Sequence, residues 1–211
     1  MLNGRYYRLR GAPSQSSHLG RGFFDCYHGW DCCDQLKEPC PKLTTERICH
    51  GAHREFSVDH LLLEPGVYVS RVDRDPATGA AVTTFDLRLT TPNKEPVMNT
   101  AECHTIEHLG ATFLRNHAEW SSRIVYFGPM GCRTGFYLVV FGEVTSEELL
   151  PRVRELFEFV AGFEGDVPGA APEECGNYLD QNLPMANWLA RRYLDRDLID
   201  IDEAHLHYQQ A

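Results

Sequence analysis

Hydrophobic and polar positions along the chain change their pattern near residue 54. Before this point aliphatic residues are sparse and no periodicity is clear, whereas after it the apolar patterning becomes strong. Periodic burial is the main sequence signal of regular secondary structure. We therefore expect a Cys-rich, poorly ordered or peripheral extension over residues 1–53 and a folded domain over residues 54–211.

The folded part is predicted to contain two pairs of strands. Residues 66–72 and 81–90 are separated by the turn-rich segment 73–79, and partial alternation over 83–89 is typical of a half-buried strand. Residues 123–127 and 135–142 form the second pair around a glycine-rich turn.

Three helices are predicted around these strands. Residues 99–120 carry an apolar stripe that includes Leu109, Phe113 and Leu114, with no proline to interrupt it. Thr145 and Glu148 match a capping box for a helix ending near residue 160, although Pro151 could instead mark its true first turn. A last helix is expected over 173–193, followed by a loosely held acidic tail from 195 onward. Because helices and strands do not alternate regularly, the fold class is predicted to be α+β.

Composition narrows the classes of function. At 211 residues and 43% hydrophobic content, the chain can form one domain with a sizeable core, and its net charge of −10 argues against a nucleic-acid partner. No apolar run approaches the roughly 20 residues that cross a bilayer, and no apolar segment follows the basic N-terminal residues. We therefore expect a cytoplasmic protein without a membrane partner, whose eight cysteines serve as thiols, ligands or nucleophiles rather than disulfides.

The segment from His104 to His108 has the order His-x-x-Glu-His. On a helix, residues i and i+4 share one face, so His104 and His108 can offer two imidazole nitrogens to one metal ion, with Glu107 beside it to handle protons. The alternative is a chance His pair on a solvated helix face, because two ligands leave a divalent ion short of a third.

Two cysteines of the folded domain are candidates for the third ligand. Cys175 follows two glutamates near the start of the predicted last helix, where the helix N-terminus favours a thiolate; a structural thiol is the alternative. Cys103 adjoins His104, but neighbouring residues point in different directions on a helix, so a small buried hydrophobe is the better interpretation.

Cys132 lies in the turn Gly128–Gly135, which has three glycines and one proline in eight residues. A side chain in such a turn is exposed, and the neighbouring Arg133 could favour its thiolate. The turn lacks the Lys-Ser/Thr pair of a phosphate loop. The alternative is a cysteine in a hairpin turn with no role.

Five ordered motifs together resemble the LuxS family of S-ribosylhomocysteine lyases, over about residues 54–194. The motifs are Phe56-Ser57-Val58-Asp59-His60, Phe85-Asp86-Leu87-Arg88 followed by Pro92-Asn93-Lys94-Glu95, His104-Thr105-Ile106-Glu107-His108, the turn from Gly128 to Tyr137, and Cys175-Gly176-Asn177-Tyr178. The resemblance does not cover residues 1–53, which we interpret as disordered sequence or an upstream start of translation.

The resemblance implies a small antiparallel sheet packed against helices in a homodimer whose two sites are built from both chains. It implies one Fe²⁺ per subunit, replaceable by Zn²⁺ or Co²⁺, on His104, His108 and Cys175. It further implies proton transfer by Cys132 and Glu107, and a substrate pocket lined by His60 and Arg88. The implied reaction releases homocysteine and 4,5-dihydroxy-2,3-pentanedione, an autoinducer precursor, from S-ribosylhomocysteine.

Two residues depart from the family pattern, and other functions stay open at this point. Glu55 often is Ser and Tyr126 often is Asp in the family, and both are expected to affect the sugar contacts rather than the metal or the reaction. A His-x-x-Glu-His metallopeptidase would want a carboxylate as third ligand. A metal-stapled binding module, or a family member without activity, would keep the metal alone. A separate zinc on the Cys and His residues of the extension would lack standard ligand spacing.

Overall fold

The computed structural model describes residues 58–209. The predicted extension over 1–53, Glu55 and the first two residues of the Phe56 motif lie outside the described residues. No helix of the described part is long and apolar enough to cross a membrane.

The described residues form an α+β fold around one four-stranded antiparallel sheet. The spatial order is β1-β2-β4-β3, and every neighbouring pair is antiparallel. The strands are β1 Gly66–Arg74, β2 Ala81–Arg88, β3 Ile124–Pro129 and β4 Gly135–Phe141. The four predicted strands are therefore confirmed, with small shifts at their ends.

Within residues 58–209, three α-helices accompany the sheet: α1 Thr100–Asn116, α2 Ser146–Gly162 and α3 Leu183–Arg192. A π-helical turn, Tyr193–Leu198, continues α3, and short 3₁₀ turns cover Ser121–Arg123 and Glu203–His205. The Thr145 hydroxyl accepts the backbone N–H of Glu148 at 3.2 Å and caps α2 as predicted. Pro151 lies inside α2, so the alternative that it marks the first turn is wrong.

The prediction of a helix over 173–193 is wrong in its first ten residues. Residues 172–179 form turns, and α3 begins only at Leu183. Asn182 caps α3 because its side chain accepts the N–H of Met185 at 3.3 Å, and Pro184 occupies the first turn, where its missing N–H costs no hydrogen bond. These start signals outweigh the helical spacing of the residues before them.

The prediction of a loosely held tail is also wrong. Leu198 and Leu206 are buried, and the ring of Tyr208 stacks on Tyr68 with centroids 4.8 Å apart. The acidic residues of this segment alternate with apolar ones that add to the core, so net charge was a poor guide to its packing.

The core lies between one face of the sheet and the helices. Val67, Leu87 and Phe136 are directly opposite one another across β1, β2 and β4, and all three are fully buried. Because side chains alternate along a strand, the residues beside Leu87 point to the other face. That second face carries Asp86 and Arg88, which are buried too.

Candidate metal centre and thiol site

Helix α1 places His104 and His108 one turn apart on the same face. Their Nε2 atoms are 3.0 Å apart, and their rings meet edge to face. The helix start is fixed nearby, since the carboxylate of Glu102 accepts the backbone N–H of Asn99 at 2.6 Å. The predicted arrangement of the His pair is therefore present in the structure.

Cys175 completes a group of three possible ligands. Its Sγ is 3.3 Å from Nε2 of His104, and the ligand atoms of the three residues all lie within 4.8 Å of one another. Cys175 lies in the turns before α3, with its N–H bonded to the carbonyl of Ala171 at 2.9 Å. Its position is thus set by loop packing, and the predicted helix N-terminus does not exist there.

Backbone carbonyl groups orient both imidazole rings. Nδ1 of His104 lies 2.9 Å from the carbonyl oxygen of Asp180, and Nδ1 of His108 lies 2.7 Å from that of Pro168. Since a carbonyl only accepts hydrogen bonds, both Nδ1 atoms carry the proton and donate it. The lone pairs of both Nε2 atoms are then left facing Cys175. This tautomer, with Nδ1 protonated, is the one that a metal ion on Nε2 requires.

Gly169 lets the backbone approach the ring of His108. The residue has a positive φ of 73°, and a Cβ built on it would lie 3.1 Å from Nδ1 of His108. A side chain at this position would therefore press on the imidazole that the adjacent Pro168 carbonyl orients.

The three residues fit a metal ion. Ligand atoms about 2.0–2.3 Å from a tetrahedral ion lie roughly 3.3–3.7 Å apart. The observed separations of 3.0 and 3.3 Å require only small side-chain shifts to match that geometry. Two imidazole nitrogens and one sulfur are borderline-to-soft donors that suit Fe²⁺, Co²⁺ or Zn²⁺ better than Mg²⁺ or Ca²⁺. None of the three is a carboxylate, which the metallopeptidase alternative requires as third ligand.

Cys132 is exposed in the loop that joins β3 to β4. The loop is closed by a bond from the N–H of Arg133 to the carbonyl of Met130 at 2.9 Å, with Arg133 at a positive φ of 59°. The carbonyl of Arg133 also accepts the N–H of Met98 at 3.1 Å, which ties the loop to the segment before α1. The thiol is therefore exposed on a fixed backbone, as predicted.

The surroundings of Cys132 favour its thiolate. Partial burial pulls the pKa of the thiol upward, but the Thr134 hydroxyl, the backbone N–H of Thr134 and the positive charge of Arg88 outweigh this effect. The pKa of Cys132 consequently lies below its ordinary value. Sγ is 3.0 Å from the Thr134 hydroxyl and 3.8 Å from Nη1 of Arg88, so the guanidinium beside the thiol is that of Arg88.

A buried ion pair between Arg88 and Asp86 lies next to this thiol. Arg88 donates from Nη1 to the Thr134 hydroxyl and from Nη2 to Oδ2 of Asp86, the latter at 2.5 Å. The side chains of Arg88 and Asp86 are only 4% and 2% exposed. Burial raises the pKa of Asp86, although Arg88 and the hydroxyl of Tyr208 act in the opposite direction.

His60 lies beside the same thiol. It lines a cleft of about 520 Å³ together with Cys132, Thr134 and the segment 92–97. It also lines a cavity of about 20 Å³ that includes Arg88. The structure thus brings together three of the predicted site residues, His60, Arg88 and Cys132.

Comparison with known proteins shows the family of the chain. The family model described as S-Ribosylhomocysteinase (LuxS) matches residues 54–204. The chain belongs to the LuxS family.

This chain covers nearly the whole length of several relatives that are named S-ribosylhomocysteine lyase. The S-ribosylhomocysteine lyase of Clostridium acetobutylicum is 57% identical over 155 residues, which are 74% of this chain and 96% of the relative. That of Phocaeicola vulgatus is 52% identical over 153 residues, 72% of this chain and 94% of the relative. The protein of the same name from Borrelia garinii is 48% identical, with 72% and 96% covered.

The structure places Tyr126, which the sequence analysis singles out, near Glu107. Partial burial, and after it the negative charge of Glu107, raise the pKa of the Tyr126 phenol. Tyr126 is 46% exposed on β3, and its ring folds over Gly128. Tyr126 therefore lies on the Glu107 side of the site.

Several residues of this LuxS site carry no assignment from the sequence. Asp86 belongs to the motif Phe85-Asp86-Leu87-Arg88. It lies two residues before Arg88 on a predicted strand, and this spacing predicts that both side chains are on the same face of the sheet. Thr134 likewise lies two residues from Cys132 in the turn motif, and its hydroxyl contacts that thiol. Tyr208 and Gly169 had no such signal, because their contacts cross long sequence separations.

Proposed function

We propose that this LuxS protein cleaves S-ribosylhomocysteine to homocysteine and 4,5-dihydroxy-2,3-pentanedione. The observation that carries the proposal is the group of His104, His108 and Cys175, oriented as metal ligands in a chain of this family. The relatives' names give the substrate and the type of reaction.

The substrate explains why proton carriers are needed. Its thioether is at C5 of the ribose, whereas the sugar's carbonyl is at C1, too far away to help break the C–S bond. Two shifts move the carbonyl to C2 and then to C3, and each shift removes a proton from one carbon and delivers one to its neighbour. Loss of the C4 proton then expels sulfur from C5 as a thiolate, which takes up a proton to become homocysteine.

Cys132 and Glu107 are the proposed proton carriers. A thiol with a lowered pKa is ionised over more of the neutral pH range, so Cys132 can accept a proton from carbon and return it to the next carbon. Glu107 projects from α1 one residue before His108 and is partly exposed, which suits transfer to the sugar's oxygens. His60 and Arg88 are proposed to bind the substrate, because both line cavities beside the thiol.

His104, His108 and Cys175 are proposed to hold one Fe²⁺ per subunit, with Zn²⁺ or Co²⁺ able to substitute. The metal ion supplies Lewis acidity to the sugar's carbonyl oxygens when it is bound. The Nδ1–H bonds to backbone carbonyls hold both rings in a fixed orientation for this task.

We also propose a homodimer with shared sites, which the lining of the cleft supports. None of the three ligands lines the cleft that contains His60 and Cys132 within the described chain. Val97, an exposed apolar residue, also lines this cleft. A second chain could therefore bring its metal centre to the thiol of the first.

Mixing two inactive variants tests the shared site. His108→Ala lacks a ligand and Cys132→Ala lacks the thiol, so each homodimer is expected to be inactive. If the sites are shared, a mixed dimer contains one intact site, and an equimolar mixture should recover roughly a quarter of the wild-type activity. No recovery in a mixture shown to exchange subunits would place the thiol and metal of one site in the same chain.

Release of free thiol tests the reaction itself. Protein purified without oxygen and loaded with Fe²⁺ or Co²⁺ is mixed with S-ribosylhomocysteine, and homocysteine is followed with a thiol reagent. We expect release by the wild type and by Cys103→Ala, which removes a buried thiol, but not by Cys132→Ala. Metal-loaded, folded wild type that releases no homocysteine would refute the proposed function.

A further inference from the structure

The last described residues pack against the polar face of the sheet. The family match ends at residue 204, yet Leu206 is buried and Tyr208 stacks on Tyr68 with an angle of 11° between the rings. This segment therefore packs on β1 beside β2, the strand that carries Asp86 and Arg88.

The hydroxyl of Tyr208 begins a chain of contacts that ends at the Cys132 thiol. It donates to Oδ2 of Asp86 at 2.9 Å, across 122 positions of sequence. The same oxygen accepts Nη2 of Arg88 at 2.5 Å, and Nη1 of Arg88 reaches the Thr134 hydroxyl and lies 3.8 Å from Sγ of Cys132. The contacts are continuous and largely screened from solvent.

The ion pair inside this chain uses only part of its bonding capacity. Oδ1 of Asp86 and Nε of Arg88 are buried and have no hydrogen-bond partner among the described residues. Arginine and carboxylate commonly pair through two parallel bonds, so a carboxylate free to turn would recruit Nε as well as Nη2. Turning the guanidinium for that purpose would move Nη1 relative to the thiol.

We propose that Tyr208 is a positioning residue, which fixes Asp86 in the orientation that keeps Arg88 on Cys132. The inference deepens the proposed function, since it rests on Cys132 as the proton carrier. Burial and the nearby charge of Asp86 raise the pKa of Tyr208, so its phenol stays protonated and remains a donor at neutral pH.

The rate of alkylation of Cys132 tests the proposal without any turnover. Folded full-length protein is treated with iodoacetamide near neutral pH, and the modified fraction is measured on the tryptic peptide 124–133, which has Cys132 as its single cysteine. Tyr208→Phe keeps the ring against Tyr68 but loses the hydroxyl. We expect its Cys132 to react roughly threefold more slowly, because less of it is thiolate.

Tyr193→Phe is the matched control. The Tyr193 hydroxyl is buried and donates to the carbonyl of Gly66 at 2.7 Å, so this variant also loses one buried hydrogen bond near the end of the chain. Its Cys132 should react at the wild-type rate, while urea unfolding shows a comparable loss of stability in both variants. Unchanged or faster alkylation in Tyr208→Phe would overturn the proposal, as would equal slowing in Tyr208→Phe and Tyr193→Phe.

Lyase activity separates this inference from the proposed function. In Tyr208→Phe the low-pH limb of kcat/KM should move to higher pH, in parallel with the alkylation profile. Wild type without lyase activity, but with the expected alkylation difference, would refute the function and leave Tyr208 as a positioning residue of the thiol. Full lyase activity with identical alkylation rates would refute the role of Tyr208 alone.

Discussion

Substitution of Gly169 by alanine should weaken metal binding without touching a ligand. The new Cβ would lie 3.1 Å from Nδ1 of His108, closer than ordinary van der Waals contact. To relieve it, the imidazole must move away from the carbonyl of Pro168, to which Nδ1 donates at 2.7 Å. The ring would then lose the bond that sets its tautomer and direction.

The expected size of the effect follows from two separable terms. Disturbing a hydrogen bond behind a metal-bound histidine typically costs about 10–100-fold in metal affinity. Placing alanine at the φ of 73° costs about 1–2 kcal/mol of folding free energy in addition. Gly79→Ala has the same φ of 73° but meets nothing within 4 Å, so it should show the second cost alone.

Competition between the protein and a chelator of known affinity measures the first term with Co²⁺ or Zn²⁺. A His104→Ala variant gives the background from the other cysteines of the chain. Urea unfolding of the metal-free proteins measures the second term. If Gly169→Ala binds metal as tightly as Gly79→Ala, the backbone approach to His108 has no part in orienting the ligand.

Three further predictions follow from the described contacts. His108→Ala should lose the bound metal and the stability that metal binding adds, so added metal ion should no longer raise its urea midpoint; an unchanged metal content would remove His108 from the ligand set. Arg88→Met leaves a buried carboxylate unpaired and should lower the free energy of unfolding by about 3 kcal/mol, and a loss near zero would contradict the importance of the pair. A hydrogen bond from Arg196 holds the pKa of Glu95 below its ordinary value of 4.5, so its stabilising effect is present above 4.5 and is lost as the pH falls through the lowered pKa. Glu95→Gln should therefore lose less stability than wild type on acidification below 4.5, as urea unfolding at several pH values would show.

The parts of the fold that depend on local pattern were predictable from the sequence. Alternation and turn residues located all four strands, and the stripe containing Leu109 and Leu114 located α1. The helical spacing after residue 173 predicted the start of the last helix too early, because Asn182 and Pro184 start that helix later. The tail misled for another reason, since its burial depends on partners such as Tyr68 that are far away in sequence.

The candidate site divides in the same way. The spacing of His104 and His108 predicts a shared helix face, which the structure shows. The spacing could not decide between Cys175 as ligand and as structural thiol, because only the folded loop brings Sγ to the pair. Gly169 and Tyr208 act through contacts that span 61 and 122 positions of sequence, as 169 − 108 and 208 − 86 show, so no local pattern announces them.

The strict alternation along β2 ties the folding of the sheet to its chemistry. Leu87 belongs to the apolar core, whereas its neighbours Asp86 and Arg88 belong to the network behind the thiol. A slip of β2 by one residue would turn two charged groups into the core and one apolar side chain out of it. The ion pair therefore also disfavours misaligned strand pairing, since a misaligned sheet would bury both charges among apolar side chains. The network behind the thiol and the correct pairing of the sheet thus depend on the same three consecutive residues.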